Sequence, residues 1–244
     1  MLQSECVRRF FLPLWLPVTL AAQFTTHLAP ETAEAFENYR ATAERQMTWQ
    51  ARSLDPRMRI DPFTGSGSTH VRHGLIHDWV ASTLVPNTAP GKLIAVLEDY
   101  ANYKTIYAPG VLDAKVLSRD DGRWHVYIRL FRKKVISVTL DSEYDVEFRK
   151  LDQSRWTVTS RSTKFAEVDG ARALPPGEGH GFLWSLNAYW LIEQRPQGVY
   201  LECRTLSLTR DVPAALGWIV RPMVSSLPRE SLRETLEATI RALR

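Results

Sequence analysis

Residues Arg123–Phe148, RWHVYIRLFRKKVISVTLDSEYDVEF, decide the fold class. Apolar side chains fall on every second position. Trp124, Val126, Ile128 and Leu130 share one face, and Arg123, His125, Tyr127, Arg129 and Phe131 share the other. After a short basic connection the alternation resumes, with Ile136, Val138 and Leu140 opposite Ser137, Thr139 and Asp141. Side chains of a strand point alternately to its two faces, so each run is a strand with one face prepared for a core. Two such runs in tandem are antiparallel neighbours.

The same reading extends in both directions. Val111–Leu117, Arg155–Val168, Leu183–Gln194 and Val199–Leu208 are strand-like, separated by turn residues such as Asp120-Asp121-Gly122, Asp152-Gln153-Ser154 and Pro196-Gln197-Gly198. Upstream, Leu75–Val85 is a strand bounded by Pro86. Trp184, Leu186, Ala188, Trp190 and Ile192 line up in one strand, and Val199, Leu201, Cys203, Thr205 and Ser207 in the next; these sets are assigned to the concave face. Leu174–Gly181, with Pro175, Pro176, Gly177 and Gly179, is a long irregular loop. Helical spacing marks Pro30 to about Arg52, Pro90 to about Tyr107, and a C-terminal helix whose stripe is Leu232, Leu236, Ile240 and Leu243. Pro62, Gly65 and Gly67 make Asp61–Thr69 a loop or linker. The expected class is α+β: a curved antiparallel sheet wrapped around a long C-terminal helix, with an N-terminal helical extension.

The composition is that of a globular chain, with 244 residues, 44% hydrophobic and 24% charged. That excludes a disordered, collagen-like or coiled-coil protein and fits one large domain or one domain plus an extension. Lys plus Arg number 31 against 27 Asp plus Glu, a net +4. The densest basic group, Arg129, Arg132, Lys133 and Lys134, is too small for a nucleic-acid footprint, so no nucleic-acid partner is expected.

Met1–Ala22 reads as a secretory signal. Arg8 and Arg9 close a short positive region, Phe10–Ala22 is apolar, and Ala21 and Ala22 offer cleavage before Gln23. The stretch is shorter than the ~20 residues a membrane span needs; an uncleaved anchor is the alternative. The expected division is 1–22 signal, 23–70 helical extension and linker, and 71–244 main domain, in an exported, periplasmic or secreted protein. Cleavage would remove Cys6 and leave Cys203, read as buried and inert.

The order of elements, together with Gly74–Trp79, Tyr103–Val111, Leu140–Glu143, Gly181–Trp184, Leu206–Asp211 and Leu227–Leu232, resembles the START-like, helix-grip superfamily in its polyketide cyclase and coenzyme Q-binding branch. The resemblance covers about residue 71 to the end. It implies a deep apolar cavity between sheet and C-terminal helix, used in that superfamily for lipids, quinones or polyketides. The expected lining is Trp124, Ile128, Leu130, Val138, Leu140, Trp184 and Leu186, together with Trp190, Cys203 and the hydroxyls of Ser160, Ser162, Thr205 and Ser207. A mostly apolar pocket with a few polar anchors is how small-molecule sites are built. The alternative is that these hydroxyls bond to neighbouring backbone and the tryptophans fill the core.

Other constellations carry less. In the cluster His70, His73, His77 and Asp78, His73 and His77 share a strand face but lack a third ligand at metal-binding spacing, so no metal and no cofactor is expected. There is no Gly-x-Ser-x-Gly elbow, Gly65-Ser66-Gly67 lacks the lysine of a phosphate loop, and Asp141, Glu143, Asp145 and Glu147 alternate as a solvated face. No catalytic set is expected. Three functions remain open: a carrier of a hydrophobic small molecule or lipid, with peripheral membrane contact; a cyclase-like enzyme using Ser160, Thr205 and Arg210; and an envelope protein presenting its N-terminal helix to a partner.

Overall fold

The computed structural model describes residues 26–52, 55–133, 137–211 and 217–244, with side chains of the last segment from Ser226 onward. The signal reading at Met1–Ala22 and the residues Lys134, Val135 and Ile136 lie outside the described residues.

Among the described residues four α-helices accompany the sheet: α1 (Pro30–Arg45), α2 (Pro90–Glu98), the single turn α3 (Tyr103–Ile106) and α4 (Gly217–Arg241). The strands are β1 (Thr26–His27), β2 (Arg59–Pro62), β3 (Ser68–Val71), β4 (Gly74–Pro86), β5 (Val111–Asp120) and β6 (Arg123–Lys133). They continue as β7 (Ser137–Lys150), β8 (Arg155–Asp169), β9 (Arg172–Ala173), β10 (Glu178–Gly179), β11 (Ser185–Arg195) and β12 (Gly198–Arg210). The described residues form a ten-stranded sheet ordered β2-β4-β12-β11-β8-β7-β6-β5, with β3 also on β4 and β9 on β8. Every pairing is antiparallel.

Three expectations shift in detail. α1 stops at Arg45, where the N–H of Gln46 turns back onto the carbonyl of Thr42. The helix expected from Pro90 to Tyr107 breaks at Asp99, whose ψ of 57° leaves the helical region, and resumes as a 3-10 turn and α3. The segment read as a linker carries β2 and β3, both laid on the outer edge of β4. An uncovered edge leaves backbone donors and acceptors unpaired, and this segment satisfies them. Between the two strands, the N–H of Phe63 donates to the carbonyl of Asp78, and the N–H of Asp78 donates to that of Gly67.

Each face of the sheet holds its own core. On the concave side Val126, Ile192, Val199 and Leu201 meet Leu93 and Leu97 of α2 and Leu232 and Leu236 of α4. On the convex side Phe36 and Ala43 of α1 pack on Ile76, Tyr189, Leu206 and Leu208. The apolar face of the N-terminal helix is therefore occupied by the sheet of the same chain. Beside it the carboxylate of Asp78 (1% exposed) accepts two hydrogen bonds from Arg204 (4% exposed), at 2.8 and 2.6 Å. Tyr39 of α1 donates to the same carboxylate at 2.8 Å, and the Arg204 guanidinium lies 3.3 Å from the Phe63 ring centre.

Two substitutions measure these contacts. Phe36→Ala should cost about 3–5 kcal/mol in chemical denaturation, the range for truncating a buried phenylalanine. Asp78→Asn should cost about 3–5 kcal/mol, since it strands a buried guanidinium. Replacing Asp78 and Arg204 together by leucine and methionine should recover much of that loss.

Candidate functional site

Strand register builds the concave face ladder by ladder, because directly opposed residues of antiparallel strands share a face. One ladder runs Trp124–Val146–Ser160–Ala188–Thr205–Trp79 across β6, β7, β8, β11, β12 and β4. On one side of it lie Phe148, Val158, Trp190, Cys203 and Ala81. On the other side come Leu186–Ser207–His77, then Ile128, and then Leu130–Leu140.

Burial divides this face. Val158, Trp190 and Cys203 are buried, as are Trp124, Leu140 and Ser207. Ile128, Leu130, Val138, Leu186, Ala188, Ser160 and Thr205 remain half-buried, a partly covered and mostly apolar stripe packed against that core. At its rim Arg132, opposite Val138, donates through Nε to Ser231 of α4 at 3.0 Å, and burial lowers its pKa.

The hydroxyls of Ser160, Thr205 and Ser207 have no hydrogen-bond partner among the described residues. Of these three groups and the indole N–H of Trp79, it is the indole that is a fully buried atom without a partner, and such a donor is costly unless something accepts from it. Trp79 lies against Gly67, where a Cβ would come within 2.6 Å of the indole, so only glycine fits there. Trp79 is not among the expected lining residues; extending the alternation His77, Trp79, Ala81 along β4 places it on the concave face.

Two expected lining residues are corrected. Trp184 packs in the convex core with Phe36, Ile76 and Leu208. Strand alternation begins only at Ser185, and Trp184 still belongs to the incoming loop, so counting back by twos misassigns it. Ser162 sits where the β7–β8 register slips. Its hydroxyl meets Ser185 Oγ at 2.7 Å and accepts from the N–H of Leu186 at 3.2 Å, which removes it from the groove. The trio Ser160, Thr205 and Arg210 is also split. The first two share a ladder, whereas Arg210 ends β12 and holds the incoming loop through the carbonyls of His180 and Gly181.

Among titratable groups, Cys203 is buried and desolvation pushes its thiol well above the ordinary range. His77 bonds Ser68 Oγ through Nδ1 (3.1 Å) and Thr209 Oγ1 through Nε2 (3.2 Å). Burial pushes its pKa down to about 4. His70 and His73 are exposed, and no three His, Cys, Asp or Glu residues converge on a metal site among the described residues. Asp141, Glu143 and Glu147 lie on the convex face, where Arg129, Lys164 and Arg149 pair with them at 2.7 to 2.9 Å. The Arg129 guanidinium holds the Asp141 carboxyl below its usual range.

No family model matches the chain, and no curated protein is similar to it in sequence. Its fold has solved counterparts. The STAR-related lipid transfer protein from Xanthomonas axonopodis is 16% identical, the match covering 73% of this chain and 99% of that one, with a TM-score of 0.50. The lipid transfer and protein localization domain of human StarD13 is 13% identical over 90% of this chain and 99% of that domain, also at 0.50. At such identities the likeness is one of fold. The chain has the START-like, helix-grip fold.

His77 supplies a pH test. The unfolded chain takes up its proton near the ordinary 6.5 and the folded chain only near 4, so stability should fall as pH drops through that window. Thermal melts of the native protein and of His77→Gln should diverge above about pH 6.5 and converge toward pH 4.

Proposed function

We propose that this chain is an exported, non-catalytic protein that encloses a hydrophobic small molecule or lipid against the concave face of its sheet. The observation that carries the reading is the half-buried stripe of Ile128, Leu130, Val138, Leu186 and Ala188. It continues a fully packed core yet is left partly uncovered, and the unpartnered hydroxyls of Ser160 and Thr205 lie beside it. An apolar groove with few polar anchors suits a ligand that is mostly hydrocarbon and carries one or two hydrogen-bonding groups. The two solved proteins of like fold are described as lipid-transfer proteins, which supports this class of cargo.

The non-catalytic part rests on where the reactive groups stand. Cys203 is buried with a raised thiol pKa, His77 is held neutral between two hydroxyls, and the carboxylates of β7 face the other side of the sheet. Export rests on the Arg8-Arg9 pair and the apolar run that follows it. Peripheral membrane contact fits a cargo that must be collected from a bilayer.

Mass spectrometry of an organic extract of the purified protein tests the reading. A defined lipid or other apolar molecule should be present near one per chain. Ile128→Trp with Leu186→Trp, which fills the groove, should reduce it by at least about tenfold with little change in melting temperature. An empty extract, with no rise in melting temperature across a panel of fatty acids, phospholipids and quinones, would end the carrier reading.

A further inference from the structure

A second cavity lies on the opposite face of the sheet, beneath the C-terminal end of α1. Its volume is about 160 Å³, roughly five water volumes. The floor is the ladder Glu147–Thr159–Tyr189 and the neighbouring pair Arg149–Thr157. The roof is Glu44 of α1 and Trp49 just beyond it. Two supports hold the roof in place. The Glu44 carboxylate accepts from Arg161 Nε at 2.8 Å and from the Tyr189 hydroxyl at 2.7 Å, and the Trp49 carbonyl accepts from Arg155 Nη1 at 3.2 Å. Trp49 itself takes a φ of 51°, a left-handed conformation rare for a bulky side chain.

The chemistry of this bay differs from that of the concave groove. Thr157 and Thr159 are 5% and 8% exposed, and neither hydroxyl has a hydrogen-bond partner among the described residues. The charged groups are already matched, Glu44 with Arg161 and Glu147 with Arg149. The bay therefore presents donors and acceptors in fixed positions without a net charge that would select an ion. Trp49 and Leu151 add apolar wall. A complementary occupant is neutral and compact, with hydroxyls that both donate and accept and with C–H faces for the apolar wall.

We propose that this bay binds a single polyhydroxylated ring, a monosaccharide unit that is either free or the end of a glycan. Arg161 and Glu44 offer a donor and an acceptor on one side of the ring, the two threonine hydroxyls meet its edge, and the indole of Trp49 covers an apolar part. The site is separate from the concave groove, with the full thickness of the sheet between them.

Methyl-resolved NMR of the full chain tests the proposal, with the threonine methyls as reporters. D-glucose, D-galactose, D-mannose and N-acetyl-D-glucosamine are titrated as free sugars in one arm and as methyl glycosides in the other. Saturable shifts at Thr157 and Thr159 with at least one ring are expected; glycosides binding alone identify a chain end, and binding in both arms identifies the ring itself. Thr157→Val with Thr159→Val should weaken that binding by at least about tenfold while the fold is retained. Should that variant not fold, Trp49→Ala should show the same loss. No saturable shift in either arm overturns the proposal, and so does equal binding by the folded variants. Equal shifts with glycerol overturn it as well, since they would mean a hydrated recess without preference for a ring.

Discussion

The buried ion pair of Asp78 and Arg204 joins four parts of the molecule that are far apart in sequence. Asp78 belongs to β4 and Arg204 to β12, Tyr39 reaches the pair from α1, and Phe63 covers it from the edge segment between β2 and β3. The carboxylate accepts three hydrogen bonds, while Arg204 Nη1 has no partner among the described residues and the guanidinium lies over the Phe63 ring. Such a pair is sensitive to register. A slip of one residue in β4 against β12 would turn Asp78 into the concave core, away from Arg204, and bring Trp79 out of it. The polar floor of the concave groove therefore depends on an interaction on the other side of the sheet.

This two-sided arrangement explains why the two faces of one sheet differ in chemical character. The concave side is closed by long apolar side chains from α2 and α4 and stays partly open where Ile128, Leu130 and Leu186 lack full cover. The convex side is closed by α1 only over β4, β12 and β11. At the C-terminal end of that helix the sheet carries paired charges and threonines, and Glu44 in its last turn and Trp49 just beyond it cross them without filling the space below. One opening is greasy and the other polar because the two faces of each strand alternate in character.

Much of this was legible in the sequence. The alternation in Arg123–Phe148 and its neighbours identifies the strands and most of the concave residues, since a period of two is a local property of the backbone. The stripe of Leu232, Leu236, Ile240 and Leu243 likewise marks the face that α4 turns to the core. Trp184 and Ser162 were misplaced for one reason. Counting by twos holds only within an unbroken strand, and the first precedes the start of β11 while the second sits at a register slip. Asp61–Thr69 looked like a linker because proline and glycine dominate it, but the open edge of β4 supplied partners that local composition does not reveal.

The sequence by itself determined the α+β class, the antiparallel order, the alternating faces and the apolar character of the concave side, because these follow from short-range periodicity. Only the tertiary structure decided which hydroxyls are left without partners among the described residues, which concave side chains stay half-buried, and that α1 packs on the convex face of the sheet. Those outcomes depend on contacts between residues far apart in the chain, Phe36 with Leu208, Tyr39 with Asp78, Glu44 with Tyr189. Such contacts are selected by the packing of whole elements and leave no local pattern behind.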